Sequence, residues 1–258
     1  KLIQKCLLEL LSVIYHPHKA AHGFVLGKNV ASNASIHVGK KFVFNIDIKD
    51  FFPSTSFHKI KFLLKIRPFF LNEEREKIAQ LIASLCCKDG FLPQGAPTSP
   101  IITNIVCRRI DSKLSQLAFE SKAKYSRYAD DITFSGARSN MVSMALLKKI
   151  ILDEGLYLNE SKTKFLSKSR QQMVTGLVVN NGVHVCKSLK KEIFTHLYFA
   201  RKKGVKNHLE WRSKLQSTPK IKANFRDYLK GKIDFVKSIE PQVGQKMQEQ
   251  FNLVPWEI

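Results

Sequence analysis

Three acidic residues stand out by type and position. Asp47 ends Phe42-Val43-Phe44-Asn45-Ile46-Asp47, within a run from Lys41 to Ile48 whose β-branched and aromatic residues read as a strand. Asp130 and Asp131 follow Tyr128-Ala129 at a tight turn between two further strand-like runs, Lys124–Tyr128 and Asp131–Ser135. An unpaired carboxylate among apolar strand residues is costly, and adjacent acids repel one another without a counter-ion. A pair of divalent cations removes both penalties, and phosphoryl transfer uses such a pair about 3.5–4 Å apart. Magnesium fits, with manganese as a substitute, because it takes a few carboxylates and leaves its other positions to water and phosphate. The plainer alternative is a polar hairpin turn at Asp130-Asp131 and an ion pair between Asp47 and a lysine such as Lys49. The strand-borne acid and the turn acids, occurring together in this order, favour the metal pair.

A third feature lies between them. Leu92-Pro93-Gln94-Gly95-Ala96-Pro97-Thr98-Ser99-Pro100 is a stiff loop that opens a helix running from about Ile101 to Glu120. Other helices are expected over Lys1–Tyr15, from a Ser56 cap to Ile66, from Asn72 to Leu85 and over Met141–Glu154. Short strands are expected at Phe165–Leu166, Val174–Asn180 and Val183–Cys186, with a hairpin turn at Asn181-Gly182. From Ser188 onward the pattern is helical. The stretch before the first catalytic strand, with Gly23, Gly27 and Asn29, reads as a loop.

The bulk properties point to a polyanion. Lys and Arg number 43 against 21 Asp and Glu, a net charge of +22 with a pI near 9.9. Nucleic acid is the leading reason for such an excess and an anionic membrane surface the second. The bias is sharpest over residues 190–232, with 13 basic and 3 acidic residues, and phosphate binding explains it better than a solvated helix face. Five cysteines without a CxxC pair suit a reducing cytoplasm and no disulfide framework. His16, His18 and His22 are expected in a solvated or RNA-facing loop. No apolar run is long enough to span a bilayer, and Leu7 to Ile14 does not make a signal peptide. Lys1 falls inside a helical pattern, so a segment upstream is expected.

Tyr128-Ala129-Asp130-Asp131, the strand-borne Asp47 and the Leu92–Pro100 loop together resemble the palm of reverse transcriptases, from about Ala21 to the end of the chain. Asn33-Ala34-Ser35-Ile36-His37 and Val174-Thr175-Gly176 resemble two short motifs of the bacterial retron enzymes. The resemblance implies an α+β right-hand fold: a fingers remnant with an RNA-contacting loop over 1–40, a fingers/palm catalytic domain with an antiparallel sheet and helices over 41–186, and an RNA-binding helical thumb over 187–258. The basic strands that open the family's fingers are not in this chain and are expected to be disordered or trimmed rather than absent from the protein.

The same resemblance implies roles. Asp47 and Asp130 would hold two Mg2+ ions, with the Ile48 carbonyl as a further ligand and Asp131 shaping the site. The amides of Asp50 and Phe51 would hold the triphosphate of a deoxynucleotide, with Phe52 beneath its sugar; the Phe51 ring suits core packing equally. Gln94 and Gly95 would meet the nascent base pair, unless the loop is simply a proline-rich turn. Lys162 would protonate the leaving pyrophosphate, or be a solvated lysine. Asn33, His37, Val174, Thr175 and Gly176 would contact RNA or primer. Their alternatives are the ordering of a loop and a strand with a bulge. Lys190, Lys191, Arg201, Lys202, Lys203 and Lys206 would meet phosphates, and Tyr198, Phe199 and Trp211 would pack the thumb core. The expected activity is RNA-directed DNA synthesis that primes on a 2′-OH of a structured noncoding RNA, the msr-msd transcript. It would yield multicopy single-stranded DNA (msDNA) in antiphage defence beside an effector protein, with no membrane. Alternatives are another bacterial reverse transcriptase, intron-type or defence-type, or a non-catalytic RNA-binding scaffold.

Overall fold

Helix α1 (Leu2–Ile14) buries Leu7 and Leu11 and leaves Leu2, Ile3, Leu10 and Val13 exposed. The computed structural model describes residues 1–66, 68–71, 75–138, 142–215 and 225–256, with the backbone alone for 211–215. Helix α2 (Val30–Ser35) occupies part of the expected loop. The Asn29 side chain accepts from the Ser32 amide while Ser32 Oγ accepts from the Asn29 amide, a reciprocal cap that starts the helix. Strand β1 (Phe42–Asp47) follows, then α3 (Phe57–Lys65), capped by Ser56 as expected, α4 (Glu76–Cys86) and α5 (Ser99–Glu120). The expected helix start at Asn72 lies outside the described residues. A hairpin of β2 (Lys124–Tyr128) and β3 (Asp131–Gly136) leads to α6 (Met144–Asp153), β4 (Lys164–Ser167) and β5 (Met173–Val174).

These elements belong to one of two compact units, residues 1–175 with 179–182. Its sheet runs in the order β2-β3-β1-β4, antiparallel throughout. Alternation gives that sheet two different faces. Phe44, Ile46, Ile132 and Phe134 point one way, into a core with Cys107, Ile110 and Leu114 of α5 and Leu147 and Ile151 of α6. Ile101, Ile102, Ile105 and Val106 of α5 enter a second core with α1, α3 and α4. A helix that feeds two cores must be apolar on most sides, which is why α5 shows no single apolar stripe.

The expected strand Val174–Asn180 is interrupted. Thr175 and Gly176 have φ of 46° and 81°, a left-handed pair that no strand accommodates. The second unit comprises residues 176–178 and 183–258. It holds the hairpin of β6 (Leu177–Val178) and β7 (His184–Val185), and helices α7 (Lys187–Lys203), α8 (Val205–Leu215), α9 (Phe225–Ile239) and α10 (Pro241–Asn252). Its core includes Ile193, Leu197, Leu229, Ile233, Val236 and Met247, all fully buried. Among the described residues no helix is long and apolar enough to cross a membrane.

Candidate active site

The register of the sheet brings the acids together. Asp47 pairs directly with Asp131 across β1 and β3, so their Cβ atoms share one face about 4.5–5.5 Å apart. Asp130 sits in the turn of the β2–β3 hairpin, and its carbonyl accepts from the Ile48 amide at 3.1 Å. That bond ties the turn to the end of β1. Asp47 is buried, and its Oδ2 accepts from Lys162 Nζ at 3.1 Å. The partner of Asp47 is therefore Lys162 and not the adjacent Lys49, because Lys162 follows Asn159, whose amide donates to the Asp47 carbonyl at 2.8 Å. Glu160–Lys162 forms one turn of 3-10 helix that delivers the lysine.

The electrostatics show an excess of negative charge. Partial burial pushes the Asp131 carboxyl up to about 6, helped by the charges of Asp130 and Asp47. Burial also raises Asp130, with Asp47 adding to the shift. The bond to Asp47 raises Lys162 in turn, so that lysine stays protonated at neutral pH. A single lysine, most of it exposed, does not neutralise three carboxylates. Among the described residues no group of three His, Cys, Asp or Glu side chains forms a ready metal cage. The paired acids are instead a sparse oxygen set that could hold a hard divalent ion, which keeps waters and takes substrate phosphates as ligands.

The residues expected to hold a nucleotide divide between the turn after β1 and the loop before α5. Asp50 adopts φ of 47° in the turn after β1, and among the described residues neither its amide nor that of Phe51 donates to a backbone carbonyl. The Phe51 ring is buried in the sheet core, so only its backbone is available. Phe52 is half-buried between the two cores. Gln94 and Gly95 are exposed at the tip of their loop, where Gly95 takes φ of 77°. Phe24 is a neighbour that the sequence reading missed: it is 47% exposed, left-handed at φ of 60°, and its ring lies 6.2 Å from Phe52. Two left-handed non-glycine residues, Asp50 and Ala129, stand near the acids in the chain, a conformation kept only where the surroundings impose it.

The expected RNA contacts divide. Asn33 and His37 point inward, both fully buried. His37 bridges two strands, with Nδ1 at 2.7 Å from Ser135 Oγ and Nε2 at 2.8 Å from Ser126 Oγ. Asn33 Nδ2 makes a long bond of 3.5 Å to Thr175 Oγ1, which itself donates to the Val30 carbonyl. The two short motifs, far apart in sequence, therefore brace each other, with the Asn33 and His37 side chains turned into the protein. Val174 is buried as well. The reason is the sheet's second face, where Asn45, Thr133, Ser126 and Ser135 are polar and need polar cover. His22 is also buried, bonded to Ser32 Oγ at 2.9 Å. In the second unit Lys190 is taken by Glu240, with both carboxylate oxygens at 3.0 Å. Lys191, Arg201, Lys202 and Lys203 remain exposed on α7 and Lys206 on α8. Tyr198 is 46% exposed, against the expected core position, because Lys202 bonds its hydroxyl at the surface. The Trp211 side chain lies outside the described residues.

Comparison with known proteins agrees with this site. The family model of reverse transcriptases (RNA-dependent DNA polymerases) matches residues 1–179. Retron Ec73 reverse transcriptase of Escherichia coli is 32% identical, matching 99% of this chain and 81% of its own length. The chain belongs to the reverse transcriptase family, in its retron branch. Retron Mx162 reverse transcriptase of Myxococcus xanthus is 36% identical over 63% of this chain, and Retron Ec86 reverse transcriptase of Escherichia coli 32% over 74%. This reverse transcriptase spans only 39% and 60% of the length of those two relatives. In fold it resembles a telomerase of Candida albicans solved with a fragment of telomeric RNA, with a TM-score of 0.52 and 14% identity over 96% of this chain and 47% of that one. An apo telomerase of Candida tropicalis truncated of its C-terminal domain gives 0.50 and 15% over 71% and 45%. These likenesses identify the right-hand fold of reverse transcriptases.

Proposed function

We propose that this chain is the RNA-directed DNA polymerase of a retron. It copies a structured noncoding RNA, the msr-msd transcript, from a 2′-OH primer into msDNA, and it serves antiphage defence beside an effector protein. The observation that carries the reading is the pairing of Asp47 with Asp131 across β1 and β3, with Asp130 at the adjoining turn, in a chain of the retron branch.

The residues divide the work. Asp47, Asp130 and the Ile48 carbonyl hold two Mg2+ ions, and Asp131 sets the charge of the site. When bound, the ions supply Lewis-acid activation of the attacking hydroxyl and neutralise charge on the triphosphate. The amides of Asp50 and Phe51 hold phosphate oxygens, and the Phe52 ring lies beneath the sugar, where a 2′-OH would collide with it. Gln94 and Gly95 meet the nascent base pair. Lys162 arrives protonated and donates to the leaving pyrophosphate. Lys191, Arg201, Lys202 and Lys203 meet RNA phosphates, while Asn33, His37 and Thr175 act on RNA only through the elements they hold.

The test is synthesis by the purified full-length protein with its cognate RNA, deoxynucleotides and magnesium. A DNA joined to RNA by a 2′–5′ linkage is the expected product, and Asp130→Asn should abolish it. Undiminished product from that variant would overturn the metal assignment. Absence of any product on every primed template would favour an RNA-binding scaffold.

A further inference from the structure

The acidic turn has a hidden side. Because residues alternate along β2 and β3, Asp131 and Thr133 face the front of the sheet while Arg127 and Ile132 face the rear, where α5 lies. Arg127 is fully buried there, and each of its three guanidinium nitrogens has a partner. Nε donates to Asp111 Oδ1 at 2.8 Å, and Nη2 donates to Asp111 Oδ2 at 2.7 Å and to Asn104 Oδ1 at 3.1 Å. Nη1 donates to the Ala129 carbonyl at 3.0 Å. Asp111, equally buried, also accepts the Tyr125 hydroxyl at 2.7 Å.

The same residues clasp the loop that lies over the turn. Asn104 Nδ2 donates to the Gly23 carbonyl at 3.1 Å, and the Asn104 carbonyl accepts from the Tyr15 hydroxyl at 2.7 Å. Arg127 exchanges backbone bonds with this loop, donating to the Ala20 carbonyl at 2.8 Å and accepting from the His22 amide at 2.7 Å. Gly23 presses so closely that a Cβ there would stand 2.3 Å from the Ala129 nitrogen. Ala129 itself has φ of 56°, a conformation that a non-glycine residue keeps only when its surroundings impose it.

A buried ion pair is a weak stabiliser, since apolar residues of similar volume do as well or better. This one does something that an apolar pair cannot: it binds the carbonyl of the residue whose backbone aims Asp130 and Asp131. A lysine cannot replace it, because one ammonium does not reach the Asp111 carboxylate in fork geometry and the Ala129 carbonyl together. We infer that Arg127, oriented by Asp111 and Asn104, is a positioning residue that fixes the Ala129 turn and so sets the geometry of the metal-holding acids. The inference rests on the reading of those acids as magnesium ligands.

The experiment compares wild type, Arg127→Lys, and the double variant Arg127→Met with Asp111→Leu, which exchanges the ion pair for apolar side chains. Each is measured for metal-free melting, for Mn2+ binding by water-proton relaxation, and for the Mg2+ concentration that half-saturates primer extension. The double variant should fold but melt lower than wild type, because it strands the buried Tyr125 hydroxyl and Ala129 carbonyl, while its Mn2+ affinity falls and its Mg2+ requirement rises by about tenfold or more, the scale of lost outer-shell support. Arg127→Lys should show the same two shifts, and it decides the matter if the double variant does not fold. Wild-type Mn2+ affinity and Mg2+ requirement in a folded variant would overturn the inference. A wild-type protein that binds Mn2+ but extends no primer would count against the polymerase reading alone, with the Mn2+ comparison still judging Arg127. A wild-type protein that binds no Mn2+ would overturn both.

Discussion

At the scale of single residues, two groups of titrating side chains act in opposite directions. Asp131 has a folded pKa of about 6, above the ordinary carboxylate range, with burial the leading cause. Between that ordinary range and about 6 the folded state holds more protons than the unfolded chain, so metal-free stability falls as pH rises through the window. On the proposed reading a divalent ion would bind the deprotonated acids and reverse the loss. Mg2+ should therefore raise the melting temperature at neutral pH, and the increment over an EDTA control should vanish as pH falls below about 6; thermal melts across pH check this. His37 behaves in the reverse sense, since burial lowers it from 6.5 to about 3. Its contribution is complete above about 6.5 and is lost as pH falls toward about 3, because the unfolded chain takes the proton first. His37→Gln should flatten the acid limb of stability against pH in urea titrations, at the cost of at least one serine bond, roughly 1 kcal/mol. The convergence of the acids was legible in the sequence from residue type and strand context, whereas Lys162 entered only through the resemblance, and its bond to Asp47 was not foreseen. Nor was the inward aim of His37, since a polar residue in a loop gives no sign of the serines waiting on β2 and β3.

At the scale of elements, long, patterned segments were legible and irregular ones were not. The Ser56 cap, the β2–β3 hairpin and α5 follow local rules, whereas α2 is only six residues long and was hidden by its length. The break at Thr175-Gly176 was masked by the β-branched residues around it, although Gly176 is the natural occupant of its left-handed position. Arg127 was missed for a different reason. Its partners Asn104 and Asp111 lie two turns apart on one face of α5, and only the packing of that face behind the hairpin brings them to Arg127. Close packing also governs the pairing of α9 with α10. Gly244 lets these helices approach until a Cβ on it would stand 2.3 Å from the Lys237 Cα. Gly244→Ala should destabilise the second unit by about 1–3 kcal/mol, the usual cost of overpacking. A lowered urea midpoint would register it, and an unchanged midpoint would show that the helices separate freely.

At the scale of the whole molecule, the net charge of +22 is the dominant fact. Such a charge repels itself until a polyanion neutralises it, and the fold determines which cations are free to do so. Lys190 is occupied by Glu240, whereas Lys191, Arg201, Lys202 and Lys203 are exposed on one helix, α7. Counterion release makes RNA affinity fall with salt, by about 0.7–0.9 in logarithmic slope for each phosphate neutralised. Replacing the four exposed cations by glutamine should thus lower the slope of log K against log salt by roughly 3. The loss of affinity should be similar for cognate and unrelated RNA, since phosphate contacts carry no sequence. Lys190→Gln should leave the slope almost unchanged and lower stability instead, because it strands the Glu240 carboxylate that also accepts from the Val185 amide. Filter-binding titrations over a range of salt separate the two cases. An equal effect of both substitutions on the slope would mean that α7 does not present its free cations to RNA.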